Sequence, residues 1–106
     1  MLHRGQIAYF KTVGEQTRPC IVVSNDDYNQ MMSTVMVVPI SLADKYQQER
    51  FVKNPMFMTI HSNEINGTAL LQHLRTIDSA RLVGEVVAEL LPTQMESVSS
   101  ILKFAL

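Results

Sequence analysis

A chain of 106 residues with 46% hydrophobic residues supports one compact core and excludes a second domain of ordinary size. The formal net charge of −1 at pH 7 excludes nucleic-acid binding through overall basicity, so any such binding must come from a local concentration of Arg and Lys. Cys20 is the one cysteine, which excludes an intramolecular disulfide and a Cys-rich zinc site within one chain, and fits a reducing compartment.

The opening residues MLHRGQIAYF hold no apolar run of signal-peptide length, and no segment approaches the roughly 20 apolar residues that span a bilayer. A soluble cytoplasmic protein is expected. Residues 1–106 read as a single domain, because no repeat, low-complexity tract or linker interrupts them.

Gln6 to Phe10 reads as a first strand, with Ile7 alternating with Tyr9, and a turn follows around Gly14 to Thr17. After Pro19, the β-branched run from Cys20 to Val23 predicts a strand buried on both faces. Ser24-Asn25-Asp26-Asp27 supplies side-chain oxygens for a turn or the N-cap of a short helix over Tyr28 to Met31. Thr34 to Ile40 is a third strand, and Pro39 near its end, lacking an N–H, marks an edge or a bulge.

Asp44 to Lys53 is polar without a period of two and reads as an exposed loop. Met56 to Ile60 reads as a fourth strand, Asn63 to Gly67 as a turn, Thr68 to Leu74 as a fifth strand and Asp78 to Leu82 as a short helical turn. For Val83 to Leu90 the periodicity fits a strand or a helix start, and a strand is favoured. Pro92 suits the first position of a C-terminal helix, on which Met95, Val98, Leu102 and Ala105 recur at spacings of three and four. The class is mainly β with helices (α+β), a small antiparallel β-barrel or strongly curved sheet with a C-terminal helix.

No glycine-rich phosphate loop, H-E-x-x-H pair or nucleophile elbow is present, and His3, His61 and His73 stand at no metal-ligand spacing. No metal or cofactor is expected. The polar residues that remain sit at strand ends, where a rigid sheet can hold a site: Arg18 before one strand, Ser41 after another and Arg75-Thr76-Ile77-Asp78 after a third.

At several places, in one order, these segments resemble the MazF/PemK toxin family. R-G-Q-I at Arg4 to Ile7 is similar to the family's R-G-[DE]-[IV], and T-R-P-C-I-V-V-S-N-D at Thr17 to Asp26 to its R-P-x-[LV]-[VI]-[VI]-[ST]-N-D. V-V-P-I-S at Val37 to Ser41 resembles its V-P-[IV]-T, and L-R-T-I-D-x-x-R-L at Leu74 to Leu82 its Q-I-R-T-I-D-x-x-R-L.

The resemblance implies an SH3-like, CcdB-like barrel and a homodimer with an RNA groove across its subunits. It implies metal-independent cleavage of single-stranded RNA in which the ribose 2′-OH attacks phosphorus, leaving a 2′,3′-cyclic phosphate, and neutralisation by a cognate antitoxin. Arg18 and Ser41 match the family's catalytic arginine and threonine. A guanidinium fork suits the charge that gathers on phosphoryl oxygens better than it suits proton abstraction, and a serine keeps the hydroxyl while losing the methyl that stiffens threonine. Glu15, Gln16 and Thr17 ahead of Arg18, with Arg75, Thr76 and Asp78 of the R-T-I-D segment, are the expected RNA-binding or supporting residues.

The loop from Thr12 to Thr17 is shorter than the family's, which bears on substrate preference. His73 stands where the family has glutamine. Structural readings compete at each position: Arg18 paired with Glu15, Ser41 as a turn serine, Asp78 as a helix cap, His73 as a packed or dimer-interface residue, Met31, Met32, Met36, Met56 and Met58 as core filler with Met31 and Met32 exposed, and Lys45 to Lys53 as solvated loop. Two other functions compete with the ribonuclease: a non-enzymatic CcdB-like gyrase poison, and a relative that binds RNA or antitoxin without cutting. The gyrase poisons lack Arg18, Ser41 and R-T-I-D as a set.

Overall fold

The hairpin of β1 (Gln6–Lys11) and β2 (Thr17–Val22) starts a computed structural model that describes residues 1–62 and 64–106. Ile7 pairs with Ile21 and Phe10 with Arg18. The 3-10 turn between the strands, Val13–Glu15, puts Gly14 at φ 82° and Glu15 at φ 64°, a left-handed conformation natural for the glycine and strained for the glutamate.

β2 continues into α1 (Asp26–Met31), whose N-cap Asn25 accepts from the Tyr28 N–H at 2.8 Å. The Asp26 carboxylate accepts from the Arg4 N–H and lies 3.0 Å from His3 Nδ1, clasping the N-terminus to this helix.

β3 (Thr34–Ser41) pairs with β2 along one edge and divides its other edge between two strands. Thr34 to Val37 face β6 (Arg75–Asp78), while Ile40 and Ser41 face β5 (Asn66–Leu70). The segment expected as one strand from Thr68 to Leu74 is therefore broken: a 3-10 turn, Leu71–His73, steps the chain outward before it rejoins β3 at Arg75. Pro39 sits at the step. The Met36 carbonyl accepts from Val23 on the β2 side, so by alternation position 39 directs its missing N–H toward this gap.

β4 (Phe57–His61) closes one end of the sheet on β5, and β7 (Leu82–Glu89) closes the other on β1. The order is β4-β5-β3-β2-β1-β7, with β6 on β3, and the two end strands are not paired with each other. The expected barrel is thus a curled, open sheet. A 3-10 turn, Ser79–Arg81, carries the chain from β6 to β7, and β7 bulges where its register against β1 jumps between Ile7–Ala88 and Tyr9–Val83.

Residues on successive positions of β1, β2 and β3 enter two cores. Ala8, Phe10, Cys20, Val22, Val35 and Val37 form one core with Leu2 and Ile77, and Leu82 packs against them. Ile7, Ile21, Val38 and Ile40 point the other way, beneath α3 (Pro92–Ala105), which contributes Met95 and Val98. The helix stripe ends at the half-buried Leu102; Ala105 is exposed.

Two further expectations need correction. Asp44 to Lys53 is not a plain loop but a 3-10 turn (Asp44–Gln47) and α2 (Glu49–Val52), held down by Tyr46 and Phe51 packing on Phe57. In the turn expected from Asn63 to Gly67, Asn63 lies outside the described residues, and Asn66 and Gly67 belong to β5, paired with His61 and Ile60. Among the described residues no helix is long and apolar enough to cross a membrane.

Candidate active site at the strand ends

β2 and β3 bring Arg18 and Ser41 together. Cys20 pairs with Pro39, and carrying that register two residues outward sets Arg18 directly across from Ser41. Thr17, Arg18, Pro19, Ile40, Ser41 and Leu42 line one cleft of about 240 Å³. By alternation from Cys20 and Val37, both in the core with Phe10, Arg18 and Ser41 lie on that same face of the sheet.

Arg18 is exposed and donates from Nη2 to Gln16 Oε1 at 3.1 Å. The pairing with Glu15 is not formed; Glu15 lies 3.9 Å from Lys11 instead, and no carboxylate pairs with Arg18 among the described residues. Its positive charge is left available to an anion. Ser41 is half-buried and its Oγ accepts from the Ala43 N–H at 3.2 Å, so its own proton remains free to donate.

A second cleft, of about 230 Å³, is lined by Lys11, Thr12, Arg75, Thr76, Ile77, Asp78 and Arg81. Lys11 of this cleft pairs across the β1–β2 ladder with Thr17 of the first. R-T-I-D is itself strand β6 rather than the turn after a strand, and Asp78 caps the turn beyond it by accepting from the Ala80 N–H at 2.8 Å, the structural role anticipated for it. Between the clefts Cys20 is buried, and burial pushes its thiol up to about 11 although Arg75 and Arg18 act to lower it.

Gly67, which the sequence reading left in a turn, packs so closely on Ser41 that a Cβ there would meet its carbonyl oxygen at 2.5 Å. Lys11 was also missed; its signal would have been the β1–β2 register, which local composition does not reveal. His73 is exposed on the 3-10 turn between β5 and β6 and lines neither cleft. Met31 and Met32 are exposed as anticipated. A larger cleft of about 550 Å³ between Arg4 and α3 holds none of the candidate catalytic residues. Among the described residues no three His, Cys, Asp or Glu side chains gather as a metal site.

The model of the PemK-like, MazF-like toxin of type II toxin-antitoxin systems matches residues 3–106. The chain belongs to this family. Curated protein sequences yield no match. Solved structures of the same fold include an endoribonuclease in complex with its cognate antitoxin from a mycobacterial species, 20% identical, TM-score 0.80, covering 99% of this chain and 94% of that one. MazF in a MazE–MazF crystal structure from Deinococcus radiodurans is 21% identical, with TM-score 0.76 over 98% of this chain and 93% of that one. Toxin MazF-mt6 of Mycobacterium tuberculosis is 16% identical, with TM-score 0.73 over 94% of each chain.

Family membership gives the motifs a common frame. The R-P segment supplies the Arg18 side of the first cleft and the V-P-I-S segment its Ser41 side, while R-T-I-D lines the second. Of the supporting residues, Thr17 lines the first cleft, Gln16 holds Arg18, Arg75 and Thr76 line the second cleft, and Glu15 lies in the turn beside Lys11. The PemK/MazF departure at Ser41 retains a hydroxyl in the cleft.

Proposed function

We propose that this chain is the toxin of a toxin–antitoxin pair: a cytoplasmic, homodimeric endoribonuclease that cuts single-stranded RNA, including mRNA, at preferred sequences without a metal ion. The observation that carries the reading is the meeting of Arg18 and Ser41 across neighbouring strands in one cleft, in a chain of the PemK/MazF family.

In this reading the 2′-oxygen of a ribose bonds to the adjacent phosphorus as its proton passes to solvent, and the bond from phosphorus to the 5′-oxygen breaks as that oxygen takes a proton from solvent. One fragment then ends in a 2′,3′-cyclic phosphate and the next begins with a 5′-hydroxyl. Arg18 is assigned to the charge that grows on the phosphoryl oxygens, because a guanidinium fork makes two charge-assisted bonds and offers no acceptor for a proton. Ser41 donates a hydrogen bond to the same phosphate. Lys11, Arg75 and Arg81 hold flanking phosphates along the second cleft, a local cationic track in a chain whose net charge is −1.

Preference among sequences requires unstacked bases, hence single-stranded substrate. A cognate antitoxin, such as accompanies the mycobacterial endoribonuclease, is assigned to neutralise the toxin by occupying the groove. The test is incubation of the purified protein with a long single-stranded RNA in EDTA, beside Arg18→Ala, with fragment ends mapped. Discrete EDTA-resistant cuts that vanish in the variant are expected. Intact RNA after incubation with folded wild-type protein would overturn the reading in favour of a gyrase poison or a non-cutting binder.

A further inference from the structure

We infer that Thr68 is a positioning residue for Ser41, its hydroxyl donating to Ser41 Oγ so that the serine's own proton is aimed at the bound phosphate. The inference rests on the ribonuclease reading of the Arg18–Ser41 cleft and adds a residue to it.

Thr68 is 1% exposed, and its Oγ1 is the one buried side-chain polar atom without a hydrogen-bond partner among the described residues. A buried hydroxyl left unpaired costs free energy, whereas valine would fill the same branched shape at no such cost. Packing alone therefore does not account for the oxygen. Its location does: Thr68 on β5 pairs directly with Ser41 on β3. Their neighbours Ile40 and Ala69 both enter the core under α3, so Ser41 and Thr68 share the opposite face, where paired Cβ atoms stand roughly 4.5–5.5 Å apart.

The donor and acceptor inventory is complementary. Ser41 Oγ already accepts from Ala43 N–H and has one lone pair left. If Thr68 fills it, Ser41 can only donate, and its proton has one direction remaining, toward the cleft. A rotation about χ1 of Thr68, whose Oγ1 is unpaired, is the movement required, since turning Ser41 would give up its bond from Ala43. No bond is made or broken at Thr68, which acts through Ser41 alone. Gly67 lets the two strands approach at this point. Thr59 flanks Thr68 from the far side on β4 and is the competing partner for its hydroxyl.

The experiment is a double-mutant cycle on cleavage of an RNA oligonucleotide carrying the mapped site, with kcat, KM and Tm measured for Thr68→Val, Ser41→Ala and both together. Thr68→Val is expected to keep or raise Tm, to lower kcat by about tenfold, the worth of one hydrogen bond, and to leave KM within about twofold. In the Ser41→Ala background it should cost nothing further, and Thr68→Ser should restore the rate. An unchanged kcat, an equal loss without Ser41, or a fall in Tm that accounts for the lost activity would each overturn the inference while leaving the ribonuclease reading in place. Absence of cleavage by the wild type would overturn both.

Discussion

Gly67 lies against the backbone of Ser41 so closely that a methyl group there would stand 2.5 Å from the Ser41 carbonyl oxygen and 2.8 Å from Ile40 Cγ2. Neither neighbour is the free end of a flexible side chain. Gly67→Ala must therefore push β5 away from β3 beside the Ser41–Thr68 pair, and overpacking of this kind costs about 1–3 kcal/mol. Urea unfolding checks the stability loss. Cleavage rates should fall further than the unfolded fraction explains, because the displaced strand carries Thr68 away from Ser41.

Arg18 and lysine are not equivalent in this cleft. Arg18→Lys keeps the charge but loses the planar fork, so a loss of roughly 10²-fold in kcat is expected, in the range for removing one donor to a developing oxyanion. Arg18 is exposed, and Tm should stay within a few degrees of wild type. A Tm collapse would mark the side chain as structural.

Cys20 is completely buried and its thiol is pushed up to about 11. An alkylating reagent at pH 8.5 should leave the folded protein unlabelled and modify it quickly in denaturant, as mass spectrometry would report. The sign of the pH effect follows. A raised folded-state value stabilises the fold below the ordinary thiol value of 9.0, and this contribution is lost as pH rises from there through about 11.

Asp26 behaves in the opposite sense. The Arg4 backbone N–H, and then the His3 side chain, lower its carboxyl below the ordinary value of 3.8. A lowered folded-state value stabilises the fold above the ordinary carboxyl range and is lost as pH falls through the folded value. Thermal melts between pH 6 and pH 2.5 should show Asp26→Asn converging with wild type at the acid end. Parallel curves throughout would remove the clasp from the account.

Much of the fold was legible because burial leaves a periodic trace. Cys20, Ile21 and Val22 read as a strand buried on both faces, and they do alternate between the core around Phe10 and the core under α3. Met95, Val98 and Leu102 marked the helix face in the same way. What was hidden depends on contacts between distant segments. Nothing in T-A-L-L-Q-H-L signals a break, which arises because β3 exchanges β5 for β6. Asn66-Gly67 carries the composition of a turn but serves as strand, where the missing side chain admits Ser41. The short helices over 44–52 depend on Tyr46 and Phe51 meeting Phe57.

At the site, Arg18, Ser41 and Arg75 stood out from their motifs, while their placement came only with strand register. The approach of Arg18 to Ser41 follows from the β2–β3 register, and that of Lys11 to Thr17 is a pairing between β1 and β2. Thr68 gave no local signal, since a threonine in a strand is unremarkable until its hydroxyl is found buried and unpaired.

The most direct measurement compares an RNA oligonucleotide containing the mapped site with the same oligonucleotide bearing a single 2′-deoxy sugar on the 5′ side of the scissile phosphate, both in EDTA, with products identified by mass. Attack by the 2′-oxygen predicts a 2′,3′-cyclic phosphate and a 5′-hydroxyl from the first and an uncut second that still binds and competes. Cleavage of the deoxy-substituted strand at the same bond would contradict the account.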